Sequence, residues 1–366
     1  MIIESVLPAI CIAFIVTVAI MFALHPFAVK LGLVDHPGGR KRHAGKVPVI
    51  GGLAMFVGMS IGVFIINPPV GGFLSAFVAA SLLVGVGVID DKMSLPPMTR
   101  IITQIAVVLI MIFGANVHLA DIGDPFGTGV ISMGRFTVIF TLVVTITMIN
   151  AYNLVDGLDG LAGSLALVAL LSVATVAGIN NVFGAAALVV AASVVGYLIF
   201  NFPVRWNRSI RAFMGDAGST LLGLTVVWVT LGVAQGEGRI ISPVHCLWFA
   251  ALPIFDCLAC FVKRVRKGKS PFESGRDHAH HILRRGGFGV RGTVLVLVGI
   301  QLVYAIVGVA GYFFGVPDVA MFVAWSVAGI LHRISIHTVA KHHRRHRLTE
   351  TQRLKVIQRT ETAGTK

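Results

Sequence analysis

Long apolar runs, separated by short polar connections, repeat along almost the whole chain. A helix that crosses a bilayer needs about 20 predominantly apolar residues, and about eleven runs reach or approach that length. They cover residues 5–29, 49–66, 71–89, 99–116, 136–153, 161–178, 182–200, 217–235, 243–262, 293–315 and 318–338. The pattern therefore predicts an all-α polytopic membrane protein with about eleven transmembrane helices.

The composition indicates that these helices lie in lipid rather than in water. Hydrophobic residues make up 56% of the chain and charged residues only 13%, whereas soluble domains carry about 25% charged residues. Glu4 precedes the first run and the basic residues follow it, which is the reverse of a cleaved secretory signal. We therefore expect a retained first helix, and the composition excludes a pair of soluble domains.

The net charge of +14 comes mainly from connections that these spans place on one side of the membrane. The connections are 30–48, 90–99, 201–216 and 263–292, together with a basic tail over 341–366. Because Lys and Arg are enriched in cytoplasmic loops, this asymmetry predicts a periplasmic N-terminus, a cytoplasmic C-terminus and one membrane domain over 1–340. It also explains the basic composition without nucleic acid as a partner.

Several acidic and amide side chains lie at the predicted cytoplasmic ends of the spans. Ionisable residues at membrane depth are costly and indicate function, and carboxylate and amide oxygens suit hard cations such as Mg²⁺. The residues are Asp90, Asp91, Asn150, Asn153, Asp156, Asp159 and Asp216. A solvated helix end stays an alternative for the adjacent Asp90 and Asp91, and an N-cap stays one for Asp216. For the connection 153–160, which holds Asn153, Asp156 and Asp159, we favour a functional role over a purely structural turn.

The connection 263–292 carries side chains that suit phosphate groups. His278, His280 and His281 occur there with Arg264 and Arg266. The positive charge around the histidines disfavours a cation, whereas guanidinium and imidazole groups together suit a pyrophosphate. A charged surface loop without a binding role is the weaker alternative.

A second basic connection, 30–48, ends with Lys46 just before the second span. This is the level at which lipid headgroup phosphates would lie, although a plain positive-inside loop is an alternative. Neither a P-loop nor a G-x-G-x-x-G motif occurs, which excludes phosphate binding of the ATPase or Rossmann kind. Cys257 and Cys260 form a C-x-x-C inside an apolar run with no partner pair, so we interpret them as buried apolar side chains.

Five motifs, in order along nearly the whole chain, resemble the polyprenyl-phosphate N-acetylhexosamine-1-phosphate transferase family. They are DHPGGRKRHAGKVPVIGG, the pair Asp90-Asp91, NAYNLVDGLDG, FMGDAGS and RDHAHH. Within the family, the chain is most similar to the members that use UDP-N-acetylglucosamine (UDP-GlcNAc) and undecaprenyl phosphate. Ala279 stands where the histidine motif of those members usually has Ile, an apolar exchange that puts little in doubt.

The resemblance implies a role for each group of residues. Asp216 is expected to be the principal Mg²⁺ ligand and Asn153 a second one, with Mn²⁺ able to substitute. The catalytic set is Asp90, Asp91, Asp156 and Asp159, with Asp90 a candidate base on the lipid phosphate. The expected substrate-binding residues are Asp35, Lys46, Asn150, Arg264, Arg266, His278, His280 and His281.

The resemblance also implies the reaction. GlcNAc-1-phosphate would pass from UDP-GlcNAc to undecaprenyl phosphate at the cytoplasmic face of the bacterial inner membrane, which would release UMP and start a surface polysaccharide such as O-antigen. A direct attack by the lipid phosphate is expected, with a route through an aspartyl-phosphate as the minor alternative. The sequence also leaves open another UDP-N-acetylhexosamine or UDP-MurNAc-pentapeptide as the donor, a transporter function, and a homodimer.

Overall fold

The computed structural model describes residues 2–35, 45–66, 68, 70–204, 210–268 and 277–364. Helices dominate these residues, and one short antiparallel hairpin pairs β1 (Val34–Asp35) with β2 (Val47–Pro48). The helices are α1 (Ile2–Leu24), α2 (Ala28–Leu31), α3 (Gly51–Ile65), α4 (Val70–Met93), α5 (Pro97–Ala115), α6 (Thr137–Val155), α7 (Leu161–Ala177), α8 (Val182–Asn201), α9 (Gly215–Ala234), α10 (Pro243–Cys246), α11 (Ala251–Arg266), α12 (Ala279–Arg285), α13 (Val290–Phe313) and α14 (Asp318–Gly364). Short 3₁₀ helices precede α2 (His25–Phe27) and α6 (Gly134–Phe136).

The predicted membrane fold is confirmed. Within the described residues, eight helical segments are long and apolar enough to cross a bilayer. They are Glu4–Leu31, Gly72–Met93, Pro97–Ala115, Gly134–Val155, Val182–Asn201, Gly215–Ala234, Val290–Phe313 and Asp318–His343. The shorter apolar helices α3 and α7 coincide with two further predicted spans. The protein is therefore an all-α polytopic membrane protein, and the total of eleven spans stays a prediction.

The structure differs from the prediction at 243–262, where the apolar run is interrupted. It forms the single-turn helix α10 and then α11, which begins at Ala251. The side chain of Gln301 from α13, which is fully buried, holds the interrupted backbone. Its Nε2 donates to the carbonyls of Phe249 (2.8 Å) and Trp248 (3.3 Å), and its Oε1 accepts from the N–H of Leu252 (2.9 Å). An irregular backbone is tolerated at this depth because protein groups satisfy it.

Helix α9 lies at the centre of the bundle and is the most buried of the candidate spans. Small residues let its backbone approach the neighbouring helices closely. Gly218 of α9 lies against Gly52 of α3, and Ala217 lies against Gly87 of α4. The N-terminus of α9 is thereby fixed by direct backbone contact with two other helices.

The β-hairpin is also attached to the start of α9. The N–H of Phe213 donates to Pro48 O (2.8 Å), and the N–H groups of Gly51 and Gly52 donate to Phe213 O (2.9 Å) and Met214 O (3.1 Å). The basic connection that contains the hairpin therefore enters the bundle beside α9. Residues 36–44 of that connection, which hold much of its basic charge, lie outside the described residues.

The sequence motifs meet at one end of the bundle, which we call the motif end. Here α4, α6 and α8 finish and α5, α7 and α9 begin. At the opposite end, Gln235 Oε1 accepts from the N–H of Ala120 (2.9 Å) and Ser242 Oγ donates to Asp318 Oδ2 (2.6 Å). Asp318 begins α14, which continues without interruption through the predicted tail to Gly364.

Candidate active site

Asp216 lies at the centre of the motif end, as the second residue of α9. It follows Gly215, whose φ of +70° requires a residue without a side chain. Asn153, near the end of α6, donates from Nδ2 to Asp216 Oδ1 (2.8 Å) and to Ser219 Oγ (3.0 Å). The structure therefore brings together the two residues that were predicted as metal ligands from separate motifs.

Asp91, at the end of α4, accepts hydrogen bonds from the first turn of α9. Its Oδ1 accepts from the N–H of Asp216 (2.7 Å), and its Oδ2 accepts from the N–H of Ala217 (3.3 Å). The first N–H groups of a helix have no partner within the helix and carry a partial positive charge. The carboxylate of Asp91 therefore acts as a cap supplied by another helix, and it fixes the position of Asp216.

Asp90, its neighbour in sequence, is buried and pairs with Arg100 at the start of α5. Its Oδ1 accepts from the N–H of Leu95 (2.7 Å) and from Arg100 Nη2 (2.8 Å), and its Oδ2 lies 2.5 Å from Arg100 Nε. Arg100 Nη1 is also 3.4 Å from Asp216 Oδ2. The guanidinium of Arg100 therefore links the pair Asp90-Asp91 to Asp216, the predicted metal ligand.

Sequence analysis did not identify Arg100 as a site residue. The signal that could have found it is its place in the first turn of α5, directly after the short connection that follows Asp90 and Asp91. Two helices joined by so short a connection are antiparallel neighbours. A cation in the first turn of the second helix then lies beside acids in the last turn of the first.

The two acids of the segment NLVDGLDG have different surroundings. Burial, and then the negative charges of Asp216, Asp159 and Asp91, raise the pKa of Asp156 to about 8. Asp159 instead pairs with Arg211, whose Nη2 lies 2.8 Å from Oδ1 and 2.6 Å from Oδ2. We call the group of Asp90, Asp91, Asn153, Asp156 and Asp216 the acidic centre. Asp159 is not part of it, because its charge is offset by Arg211.

The atoms at this centre fit a hard divalent cation. Asp216 offers a half-exposed carboxylate, and the amide nitrogen of Asn153 makes both of its contacts, which leaves its carbonyl oxygen as a further ligand atom. Oxygen ligands of this kind are the ones that Mg²⁺ prefers. After burial, the negative charges of Asp216, Asp159 and Asp91 contribute to the raised pKa of Asp156, and a bound cation would offset that charge.

The predicted histidine segment reaches the same end of the bundle. The ring of His280 lies directly on Gly157, between the two acids of NLVDGLDG, where any side chain would collide with it. The His280 and His278 rings are parallel, with centroids 5.9 Å apart, and the His281 ring follows at 4.1 Å from that of His280. The structure therefore brings together two motifs that are more than 100 residues apart in sequence.

His278 is held by a buried carboxylate that sequence analysis missed. Asp256 of α11 accepts from His278 Nδ1 through Oδ2 (2.8 Å) and from the N–H of Ala279 through Oδ1 (2.7 Å). Its only sequence signal was an acid inside an apolar run. Burial alone would lower the pKa of His278, but its hydrogen bond to the Asp256 carboxylate and its contact with Cys260 raise that pKa to about 9.

Asp256, Cys260 and His278 are also, among the described residues, a group whose potential metal-binding atoms all lie within 4.8 Å of one another. Ligands of a tetrahedral zinc, each about 2.0–2.1 Å from the metal, lie about 3.3 Å apart. The 2.8 Å between Nδ1 and Oδ2 is shorter and is typical of a charge-assisted hydrogen bond. We therefore interpret the group as an ion pair rather than a zinc site.

The remaining predicted residues lie on α6, on α11 and in the connection that contains the hairpin. Asn150 donates from Nδ2 to Gln104 Oε1 (2.8 Å) and to the carbonyl of Ile146 (2.7 Å), so it joins α6 to α5. Arg264 is buried and Arg266 exposed near the end of α11, Lys46 is exposed, and Asp35 lies in β1. Their substrate-binding roles stay predictions.

Comparisons with known proteins point to one activity. A family model described as glycosyl transferase family 4 matches residues 73–234, which include the acidic centre. The undecaprenyl-phosphate alpha-N-acetylglucosaminyl 1-phosphate transferase of Yersinia pestis is 34% identical over 300 residues, which cover 81% of this chain and 82% of that protein. The proteins of the same name from Escherichia coli K12 and Haemophilus influenzae are each 34% identical, over 322 and 334 residues, which cover 87% and 90% of this chain and 88% and 93% of those proteins.

Proposed function

This chain belongs to the polyprenyl-phosphate N-acetylhexosamine-1-phosphate transferase family, and we propose that it transfers GlcNAc-1-phosphate from UDP-GlcNAc to undecaprenyl phosphate. The observation that carries the proposal is the 34% identity to transferases of that name along more than four-fifths of both chains. The acidic centre lies within the aligned part, and residues 73–234, which match the family model, also include it. The products are undecaprenyl-pyrophosphoryl-GlcNAc and UMP.

The acidic centre is the place where phosphoryl transfer would occur. When bound by Asp216 and Asn153, Mg²⁺, or Mn²⁺ in its place, would offset negative charge on the transferred phosphoryl group. Asp91 would keep Asp216 in position through the first turn of α9. Arg100, held by Asp90, would present its guanidinium beside the same site, where it suits a phosphate.

The lipid phosphate is the nucleophile in this proposal. One of its oxygens attacks the β-phosphorus of UDP-GlcNAc, the bond from that phosphorus to the bridging oxygen breaks, and the electron pair leaves with UMP. Both oxygens of Asp90 are engaged by Arg100 and the backbone. We therefore assign Asp90 to the positioning of Arg100, rather than to the role of base that the family resemblance suggested.

The histidine segment is the proposed site of the nucleotide-sugar, with His278, His280, His281 and Arg264 as its pyrophosphate-binding side chains. His280 lies on Gly157 beside the acidic centre. Burial and the neighbouring His281 lower the pKa of His280 to about 3, so His280 is neutral and His278 charged at neutral pH. Two adjacent imidazoles would thus offer one neutral and one charged group to the substrate.

We place the motif end at the cytoplasmic face of the bacterial inner membrane. The motif end carries the basic side chains Lys92, Arg100, Arg211 and Lys263, whereas Arg239 lies at the opposite end beside Asp121. This distribution agrees with the enrichment of basic residues in cytoplasmic loops. The lipid-linked product would then be the starting unit of a surface polysaccharide such as O-antigen.

The test uses purified protein in detergent with undecaprenyl phosphate, Mg²⁺ and UDP-GlcNAc labelled in the sugar. Mg²⁺-dependent movement of label into the lipid phase, reversed by added UMP, would support the proposal. Transfer from another UDP-N-acetylhexosamine or from UDP-MurNAc-pentapeptide alone would keep the reaction and change the substrate. No transfer from any of them would favour a transporter, and UMP release without lipid would indicate an aspartyl-phosphate route.

A further inference from the structure

Asp256 and His278 form a buried ion pair between α11 and the residue that precedes α12, 22 positions apart in sequence. Asp256 is 2% exposed and His278 3% exposed. Asp256 lies in the second turn of α11, just after the interruption that Gln301 stabilises. His278 lies immediately before α12, and the N–H of Ala279, which begins α12, donates to the second carboxylate oxygen. The carboxylate thus fixes both the imidazole ring and the backbone of the histidine segment.

The second nitrogen of His278 has no such partner. Within the described residues, Nε2 of His278 is buried and forms no hydrogen bond. A buried polar nitrogen left without a partner costs about 1–3 kcal/mol, and such groups are rare in folded proteins. Other buried nitrogens are in the same state, among them Nε2 of His245 and of His332, and His278 differs from them because its ring lies parallel to that of His280, which lies on Gly157 at the motif end. A substrate oxygen bound there would supply the missing partner.

We propose that Asp256 is a positioning residue that fixes His278 so that its Nε2–H donates to an anionic oxygen of the nucleotide-sugar pyrophosphate. The inference rests on the proposed function and extends it to a residue outside the five sequence motifs. With Nδ1 committed to Asp256, Nε2 is the remaining nitrogen that can contact substrate. Carboxylates commonly orient catalytic and ligand-binding histidines in this way.

The pKa of His278 is lowered by burial and raised by its contacts with Asp256 and Cys260 from α11. The rings of His280 and His281 from α12 lie beside it, and His332 from α14 lies near Asp256, with Arg333 next to it. Asp256 is the carboxylate in this set, and the pKa of His278 is raised to about 9. A group whose pKa is raised stays protonated below that value. Binding that depends on the imidazolium should therefore be lost as pH rises through about 9.

The experiment compares wild type with Asp256→Asn in the labelled transfer assay, over a pH range from neutral to strongly alkaline. We expect KM for UDP-GlcNAc to rise about tenfold, because the variant loses one charge-assisted hydrogen bond to the substrate. The alkaline limb of kcat/KM should move to lower pH by about 1–3 units, while KM for undecaprenyl phosphate stays unchanged. A merely structural role of Asp256 would not move the pH limb.

Asp318→Asn is the matched control. Asp318 faces the buried His245 at the opposite end of the bundle (3.3 Å between Oδ1 and Nδ1). This variant also removes a carboxylate from a buried imidazole, but away from the motif end. Its pH limb and both KM values should match those of wild type.

A double variant shows whether Asp256 acts through His278. Asp256→Asn with His278→Gln should be no worse than His278→Gln alone, because interacting residues are non-additive. If Asp256→Asn does not fold, His278→Gln still tests the pair, since it should raise KM for UDP-GlcNAc and abolish the alkaline limb near pH 9. Two results would overturn this inference and leave the proposed function standing. One is additive losses in the double variant, and the other is an active single variant whose KM for UDP-GlcNAc and alkaline pH limb are unchanged. No transfer by wild type would overturn the proposed function, and the inference with it.

Discussion

The contact between Gly52 and Gly218 controls where Asp216 lies, and a single added methyl group tests this. A Cβ placed on Gly52 would lie 2.4 Å from Gly218 N, 2.7 Å from Gly218 Cα and 2.8 Å from Met214 O. All three atoms belong to backbone, so no side chain can rotate away. Because favourable contacts between non-bonded heavy atoms lie at about 3.5 Å, Gly52→Ala should push α3 and α9 apart by about 1 Å.

The displacement should affect catalysis more than folding. Overpacking a well-packed core costs about 1–3 kcal/mol, which a folded protein can tolerate. Misplacement of catalytic groups by about 1 Å can lower turnover about 10²-fold, and Asp216 is only two residues from the contact. We therefore expect Gly52→Ala to lose about 99% of its turnover, in proportion to this estimate, while it remains monodisperse in detergent with a moderately lower Tm.

Gly85→Ala is the control for this prediction. Gly85 also lies in a transmembrane helix, but a Cβ there meets no atom within 4 Å, and Ala favours a helix by about 0.5–1 kcal/mol over Gly. Turnover is measured by transfer of labelled sugar phosphate to undecaprenyl phosphate, and Tm by thermal unfolding in the same detergent. Wild-type turnover in Gly52→Ala, or an equal loss in Gly85→Ala, would refute the reasoning.

Four further substitutions test separate parts of the structure. Asp216→Asn should lower turnover about 10²–10³-fold with membrane insertion intact; normal turnover and normal Mg²⁺ dependence would remove it from the metal site. Arg100→Gln takes from the buried Asp90 a hydrogen bond to a charged group, worth about 1.5–3 kcal/mol, together with its ion-pair partner, and should cut turnover about tenfold or more; full activity would show that Arg100 only screens charge. His280→Ala should raise KM for UDP-GlcNAc more than KM for undecaprenyl phosphate, and a defect confined to the lipid would contradict that. Gln301→Leu leaves the Leu252 N–H and the Phe249 carbonyl without the partner that Gln301 supplies, at about 1–3 kcal/mol each, and should lower Tm clearly; an unchanged Tm would mean that the interruption does not need Gln301.

Hydropathy and charge predicted the membrane fold because they are properties of single segments. Each apolar run must find a bilayer or a bundle core, whatever its partners are, and the motifs could be placed at span ends by the same reasoning. The run 243–262 is the exception, because hydropathy measures apolar content and does not detect hydrogen bonds. Its interruption depends on Gln301, a polar residue that lies in another apolar run, 49 positions after Leu252 and 52 after Phe249.

The site was predicted as a set of residue types, whereas its internal geometry needed the structure. Asp90 and Asp91 are adjacent and chemically identical, so the sequence treats them alike. In the structure they have different partners: Asp90 pairs with Arg100, and Asp91 accepts from the first turn of α9. Asp256 likewise gives no local signal, since its partner His278 comes from a connection whose path the sequence does not specify.

The cap that Asp91 places on α9 has a consequence for inhibitor design. The N-terminus of a buried helix normally attracts phosphate, and a chemist would aim a phosphate mimic at it. In this protein a carboxylate of the chain already accepts from the N–H groups of Asp216 and Ala217, so an anionic warhead would have to displace a built-in competitor. Compounds that seek Nε2 of His278, which has no hydrogen-bond partner among the described residues, avoid that competition.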